Sequence, residues 1–339
     1  MSGAGLPPLA LTMGEPAGIG GEIALMAWAA RRERALPPFL LLDDPARLAD
    51  LARRIGLDVP VRAVASPEEA AGLFDSALPV LPVALAVPAE PGRPDPANGR
   101  AVIESIDRAV ELVRQGRAAA VVTNPIQKSS LYAAGFKHPG HTEYLAHLAG
   151  MAEEPVMLLE GGGLRVVLAT IHVPLVEVPK VLTKDAIVHV ARVTARALRT
   201  DFGVASPRLA VAGLNPHAGE AGTIGREEID VIVPAVSALR AEGIDAQGPY
   251  PSDTLFHAGA RARYDAVVCM YHDQGLIPLK TLDFDTGVNV TLGLPFVRTS
   301  PDHGTATGIA GTGTASPSSL IQAMLTARDI AARRRGKGA

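Results

Sequence analysis

The chain has 339 residues but one cysteine, Cys269, so no disulfide can close within it. A lone thiol fits a reducing compartment. Neither sign of charge is in excess: 32 Lys and Arg stand against 35 Asp and Glu, a formal net charge of -3. That balance argues against a nucleic-acid footprint and against a polybasic membrane contact. No stretch reaches the ~18 uninterrupted apolar residues of a membrane span. Met1 to Leu11 has neither a cationic start nor a long apolar run, so it does not read as a signal peptide. Two familiar nucleotide signatures are missing as well: there is no Gly-x-Gly-x-x-Gly fingerprint and no Walker sequence. These absences lead to the expectation of a soluble cytoplasmic protein that contacts neither nucleic acid nor membrane.

Aromatic residues are scarce, at 4%, whereas glycine (34) and proline (28) are plentiful. Such a composition suits many tight turns between small-residue elements, as in layered α/β proteins. A single core rarely grows beyond roughly 250–300 residues, so two lobes are expected. Short apolar runs alternate with helical patterns. Strands are expected at Leu9 to Met13, Pro38 to Leu42, Ala118 to Val122, Leu164 to Thr170, Arg208 to Leu214 and Tyr264 to Tyr271. Helices are expected from Gly20, from Ser66-Pro67-Glu68-Glu69, after Asn98 as a cap, and over Lys184 to Arg199, Glu227 to Glu242 and Ser318 to Arg335. Val102, Ile106, Ala109 and Val113 share one face of the helix after Asn98. The alternation predicts a mainly parallel sheet with helices on both faces. Gly287 to Val297 is β-rich with no helix before it and predicts an extra strand or hairpin. Val87 to Ala97, rich in proline, predicts a long surface loop.

Three histidines share one placement. His172, His217 and His272 each follow the carboxyl end of an expected strand. In open α/β sheets ligands bind at that edge. Three imidazoles meeting there would make a half-open metal site that leaves positions for substrate. Taken singly, each is as well explained as a local strand cap. His147 and His189 fall on expected helices and read as structural, while His257 stays open. A second group comprises Lys280, Asn289 and Arg298, with Lys137 and His141-Thr142 upstream. Cations beside hydrogen-bonding side chains suit a phosphate or carboxylate, although surface ion pairs explain such residues one by one. Gly14-Glu15-Pro16-Ala17-Gly18-Ile19-Gly20-Gly21 joins a strand to a helix, so its amides can face an anion. The segment from His303-Gly304-Thr305-Ala306 to Gly311-Thr312-Gly313-Thr314-Ala315 reads by composition as a flexible turn.

As a set these stretches are specific. Gly14 to Gly20, Gly140-His141-Thr142-Glu143, Leu214-Asn215-Pro216-His217-Ala218-Gly219-Glu220, Pro251-Ser252-Asp253-Thr254, Tyr271-His272-Asp273-Gln274-Gly275 and Asp302 to Ala306 occur in the order seen in one family. Together they resemble the 4-hydroxythreonine-4-phosphate dehydrogenase family over nearly the whole chain. The resemblance implies an α/β fold like that of isocitrate and isopropylmalate dehydrogenases, with two α/β/α lobes around a cleft. Residues 1–130 with 300–339 are expected to form the lobe carrying much of the cofactor site. Residues 131–299 are expected to form the lobe with the metal ligands and the interface of a homodimer with shared active sites. It also implies a divalent metal (zinc, magnesium, cobalt or manganese) on His172, His217 and His272, one of them contributed by the partner subunit. His141, Thr142, Lys280, Asn289 and Arg298 would contact substrate. Gly14, His303, Gly304, Thr305, Ala306 and Gly311 would contact NAD or NADP. Asp253 and Lys280 are the candidate bases.

The implied reaction oxidises the C3 hydroxyl of 4-phosphooxy-L-threonine. Decarboxylation then gives 3-amino-2-oxopropyl phosphate, an intermediate of pyridoxal phosphate synthesis. Three positions depart from the family pattern: Gly21 stands where Pro is usual, Gly308 where an acid is common, and Thr314 where Lys is common. The last two bear on the choice between NAD and NADP. Dehydrogenases of 4-phospho-D-threonate and D-erythronate share the same motifs, and phosphate acyltransferases share the superfamily fold; both stand as alternatives.

Overall fold

The computed structural model describes residues 5–337. The first four residues of the stretch examined for a signal peptide therefore lie outside the described residues. The chain divides into two compact units. One runs to Glu154 and resumes at Leu294; the other is Pro155–Gly293. Among the described residues the strands are β1 (Leu9–Thr12), β2 (Phe39–Asp43), β3 (Val61–Ala63), β4 (Leu78–Pro82), β5 (Val121–Val122), β6 (Val156–Gly161), β7 (Leu164–Leu168), β8 (Arg208–Ala212), β9 (Asp245–Tyr250), β10 (Ala266–Cys269), β11 (Val288–Leu292) and β12 (Arg298–Pro301).

In the first unit six strands lie in the order β3-β4-β2-β1-β5-β12, and every neighbouring pair is parallel. All four residues of β1 and all five of β2 are buried, as expected of parallel strands covered on both faces. Leaving β1, the chain builds outward through β2 on one side and returns to place β5 on the other. The gap between β1 and β5 is therefore a topological switch point, where open parallel sheets hold ligands. Asn124, just past β5, closes this gap: its side-chain amide donates to the Thr12 and Gly20 carbonyls at 2.9 and 3.3 Å.

Helix Gly99–Arg114 lays Val102, Ile106, Ala109 and Val110 on the sheet, in one cluster with Leu40, Leu42 and Ala10. Val113 packs at the edge of that cluster, so the expected helical face is the one buried. Asn98 does not cap this helix. Its amide instead donates to the Val87 carbonyl and accepts from the Val87 N–H, at 3.0 and 3.1 Å. The tertiary partner wins because it ties down the proline-rich loop, satisfying two backbone groups at once. Helix Pro45–Arg54 does have its cap: Asp44 accepts from the amides of Ala46 and Arg47, and Pro45 supplies the first turn.

In the second unit the order is β11-β6-β7-β10-β8-β9. The run from β7 to β9 is parallel, whereas β6 is antiparallel to both β7 and β11. β6 and β7 form a hairpin across Gly162 and Gly163, both at positive φ (56° and 75°), which a two-residue turn of this twist requires. The extra strand expected within Gly287 to Val297 is β11, paired along its length with β6.

The division differs from the expected one. Residues 131–154, expected with the second lobe, belong to the first unit. Leu131, Phe136, Tyr144 and Leu145 are buried in the same cluster as Val102 and Ile106. Residues 294–299 also belong to the first unit, because β12 pairs with β5. Among the described residues no helix is long and apolar enough to cross a membrane.

The end of β1 hangs on one buried hydroxyl. Ser105 Oγ accepts from the Met13 N–H at 3.0 Å and donates to the Leu42 carbonyl at 2.8 Å. Replacing Ser105 by Ala leaves two buried backbone groups without partners. The expected loss is about 1–3 kcal/mol of stability, read as a lower urea midpoint with unchanged slope. A midpoint equal to that of the wild type would show that these bonds contribute nothing net.

Candidate active site

The first unit brings its two glycine-rich segments together. Gly14 has φ +68°, and a Cβ there would lie 2.6 Å from Asn124 Cβ and 2.7 Å from the Pro125 carbonyl. Only glycine fits that turn. The turn is then fixed by Glu15 N–H to the Pro125 carbonyl (2.8 Å) and Gly18 N–H to the Glu15 carbonyl (2.9 Å). Gly18 also abuts the second segment: a Cβ there would sit 2.8 Å from the Thr305 carbonyl, which accepts from Ile19 N–H at 3.0 Å. Further along, the buried Glu22 carboxylate accepts from Gly311 N–H at 2.7 Å and Ala315 N–H at 3.4 Å. Thus the His303 to Ala315 segment is pinned at both ends to the turn and helix that follow β1, which a flexible turn would not be. Nε2 of His303 is buried with no hydrogen-bond partner.

A cavity of about 390 Å³ adjoins these segments, lined by Pro16, Gly18, Arg47, Arg54, Val87 and Pro91 among others. Arg47 is fixed by a buried ion pair with Asp43 and by donation to the Pro16 carbonyl at 2.8 Å. Burial raises the Asp43 carboxyl above its usual range, with Arg47 pulling the other way. Gly21 lies against the same guanidinium: a Cβ there would be 3.2 Å from both terminal nitrogens.

On the same unit Arg298, the first residue of β12, is buried and donates through Nε and Nη2 to Thr123 Oγ1 at 3.2 and 2.7 Å. Burial lowers its pKa to about 10, against the pull of Glu143, so it remains cationic at neutral pH. His141 opens helix His141–Ala149, with Thr142 next in the first turn. Burial, and then the Arg298 charge, hold the His141 imidazole well below its ordinary range. Its Nε2 is buried with no hydrogen-bond partner. A cationic guanidinium, a neutral imidazole with an unengaged nitrogen and a helix N-terminus together suit an anion. Lys137 is exposed.

The second unit carries the expected metal ligands at strand tips. His272 opens helix His272–Leu282 directly after β10, and His172 lies four residues past β7. Their ring centroids are 5.7 Å apart. Asp273 Oδ1 lies 2.7 Å from His272 Nδ1, a contact that orients the ring and does not involve Nε2. His217, past β8, is exposed. Among the described residues no three His, Cys, Asp or Glu side chains of the chain are grouped closely enough to hold a metal ion. The structure therefore brings two of the three imidazoles together and leaves His217 outside the pair. Two adjacent imidazoles, one with a carboxylate behind it, are the donor type that zinc, cobalt or manganese accepts.

Gln274 ties the surrounding loops. It donates to the Gly213 carbonyl (2.6 Å) and Ser252 Oγ (2.8 Å) and accepts from Met270 N–H (2.6 Å). This fixes the 3-10 turn Ser252–Thr254, which carries Asp253, against the tips of β8 and β10. Gly275 allows the His272 helix to lie on β7, because a Cβ there would meet Val166 Cγ1 at 2.2 Å. Lys280 sits in the last turn of that helix, with Nζ 5.5 Å from the Phe284 ring. Asn289, on β11, has a buried Oδ1 without a hydrogen-bond partner.

A family model described as pyridoxal phosphate biosynthetic protein PdxA matches residues 35–327. The chain belongs to the PdxA family. It is 57% identical to the 4-hydroxythreonine-4-phosphate dehydrogenase of Methylorubrum populi over 96% of this chain and 95% of that one. It is 55% identical to the Caulobacter vibrioides protein of the same name, over 96% and 98%. A crystal structure of 4-hydroxythreonine-4-phosphate dehydrogenase from Klebsiella pneumoniae superposes with a TM-score of 0.87 at 40% identity, covering 97% of this chain and 99% of that one.

In this PdxA-family chain the sequence reading missed the residues that hold the loops: Glu22, Gln274, Thr123 and Asn124. Glu22 left a visible signal, since it is the single charged residue in the apolar helix Gly20–Ala29. The others are polar residues in or beside quoted motifs, and nothing in their spacing separates a loop clamp from a ligand contact.

The low pKa of His141 has a consequence for folding. The folded chain keeps this ring neutral, whereas the unfolded chain protonates it near 6.5. Its contribution to stability is therefore complete above that pH and is lost progressively as the pH falls below it. Urea midpoints measured from pH 7 to pH 5 should fall less steeply for His141→Gln than for wild type; equal slopes would place the acid sensitivity elsewhere.

Proposed function

We propose that this chain is a metal-dependent, NAD(P)-linked 4-hydroxythreonine-4-phosphate dehydrogenase. It oxidises the C3 hydroxyl of 4-phosphooxy-L-threonine, and the β-keto acid then loses CO2 to give 3-amino-2-oxopropyl phosphate. The observation that carries this reading is Arg298. A guanidinium taken out of water but still charged, beside a neutral imidazole with an unengaged Nε2, is suited to a phosphate oxyanion. Relatives at 52–57% identity bear the same name, which supports the reading.

His141, Thr142 and Arg298 grip the phosphate and so orient the carbon to be oxidised. Lys280 and Asn289 bind polar groups of the substrate. Asp253 or Lys280 accepts the hydroxyl proton. His172 and His272, with His217 from a second copy of the chain, would hold the divalent cation. When bound, the cation would supply Lewis acidity and the nicotinamide a hydride acceptor. The turn at Gly14 and the segment His303, Gly304, Thr305, Ala306 and Gly311 cradle the dinucleotide. Gly308 and Thr314, uncharged where the family pattern carries an acid and a Lys, bear on whether that dinucleotide is NAD or NADP.

A second copy also answers to the surface. Leu175, Val176 and Phe284 of the second unit are 66%, 71% and 75% exposed, apolar side chains that a second copy would cover.

Turnover of 4-phosphooxy-L-threonine, followed by the absorbance of reduced nicotinamide, should exceed that of 4-phospho-D-threonate and D-erythronate; the reverse order would move the enzyme to the D-substrates. Dialysis against a chelator should abolish turnover, and zinc, cobalt, manganese or magnesium should restore it; a chelated enzyme at full rate would remove the metal. Arg298→Ala should raise the KM for the phosphorylated substrate by roughly 10- to 100-fold, the equivalent of about 1.5–3 kcal/mol for a charge-assisted bond. An unchanged KM would remove Arg298 from the phosphate site.

A further inference from the structure

His217 lies in a backbone that side chains rarely adopt. From His217 to Ala221 five consecutive residues have positive φ, at 52°, 51°, 77°, 43° and 55°, and four of the five are not glycine. Left-handed backbone is unfavourable for such residues, so the segment needs support from outside itself.

That support is Glu228. Its side chain is buried, at 3% exposure, and among the described residues no Lys or Arg forms an ion pair with it. Oε1 accepts from the backbone N–H groups of Leu214 and Asn215, both at 2.7 Å. Oε2 accepts from Asn215 Nδ2 at 2.9 Å, and the same amide reaches Glu227 at 2.6 Å. The carboxylate also sits directly beneath the left-handed segment. A Cβ on Gly219 would be 2.5 Å from Oε2, and one on Gly213 would be 3.3 Å from Oε1. Glu228 opens a single π-turn, Glu228–Ile232, a local irregularity that often marks functional positions. The turn thus delivers a carboxylate to the two backbone donors that lead into Pro216 and His217.

We propose that Glu228 is a positioning residue for the metal centre: it holds the Leu214–Asn215 backbone and the left-handed segment so that His217 is presented in one direction. Glu228 touches neither substrate nor cofactor and acts through His217. The inference rests on His217 as a metal ligand, and the test keeps the two claims apart.

Metal-depleted wild type, His217→Ala and Glu228→Gln would be titrated with Co²⁺. Affinity and the ligand-field absorption spectrum of the bound ion would be recorded, together with binding of inorganic phosphate. Gln keeps the volume of Glu228 but offers one acceptor oxygen in place of two. Glu228→Gln should weaken Co²⁺ binding by roughly 10- to 100-fold, the range for losing a residue behind a ligand, and alter the spectrum. Phosphate binding, which depends on Arg298 and His141 of the other unit, should stay unchanged. Co²⁺ binding and spectrum equal to wild type in Glu228→Gln, with His217→Ala impaired, would overturn the positioning role alone. Equal Co²⁺ binding in His217→Ala would overturn the ligand reading and the inference with it. Parallel loss of cobalt and phosphate binding would make Glu228 a general folding residue and overturn the proposal. Should Glu228→Gln fail to fold, Glu228→Asp, which keeps the charge one methylene short, must show the same selective loss of cobalt.

Discussion

A carboxylate withdrawn from water has to be given hydrogen-bond donors, and in this chain two buried glutamates take theirs from loop backbone. Glu22 accepts from Gly311 and Ala315 in the first unit; Glu228 accepts from Leu214 and Asn215 in the second. Each sits early in a helical segment, and each holds the backbone of a loop that carries expected site residues. The stake is high in both directions. A satisfied buried carboxylate rigidifies what it binds, and one that loses its donors is strongly unfavourable, so the loops cannot drift without exposing that penalty.

Side-chain amides perform the neutral version of the same task. Asn124 closes the gap between β1 and β5, Asn98 fastens the proline-rich loop, and Gln274 joins the tips of β8 and β10 to the turn bearing Asp253. Three of the expected site residues have an atom left unengaged by comparison. Nε2 of His141, Oδ1 of Asn289 and Nε2 of His303 are buried without partners. They are three of seven such atoms among the described residues; the others belong to Arg31, Asn124, Arg165 and Arg261, so the unpartnered state marks these three only together with where they lie.

How much of this was legible depends on how local the signal is. Strands β1, β2, β7, β8 and β10 announce themselves as apolar runs, and the helix after Asn98 by its face of Val102, Ile106 and Ala109. β9 does not: its sequence, Asp245–Tyr250, contains Gly and Pro, and it is a strand by virtue of pairing with β8. Asn98 carries a good capping signal, but Val87 outbids the helix for its amide. The placement of the three histidines at strand tips was readable because strand ends are local. That His172 and His272 meet while His217 stays apart was not, since it depends on the path of each loop afterwards. The left-handed run at His217 packs on a carboxylate eleven positions later, which also holds the two residues before Pro216 and which no short window centred on the histidine contains.

The contact between Gly21 and Arg47 reaches beyond geometry. A Cβ at position 21 would crowd a guanidinium already committed to Asp43 and to the Pro16 carbonyl. Residues 21, 47 and 51 are thereby sterically coupled: any side chain at 21 is accommodated only if the arginine tip and Leu51 yield by a few tenths of an ångström.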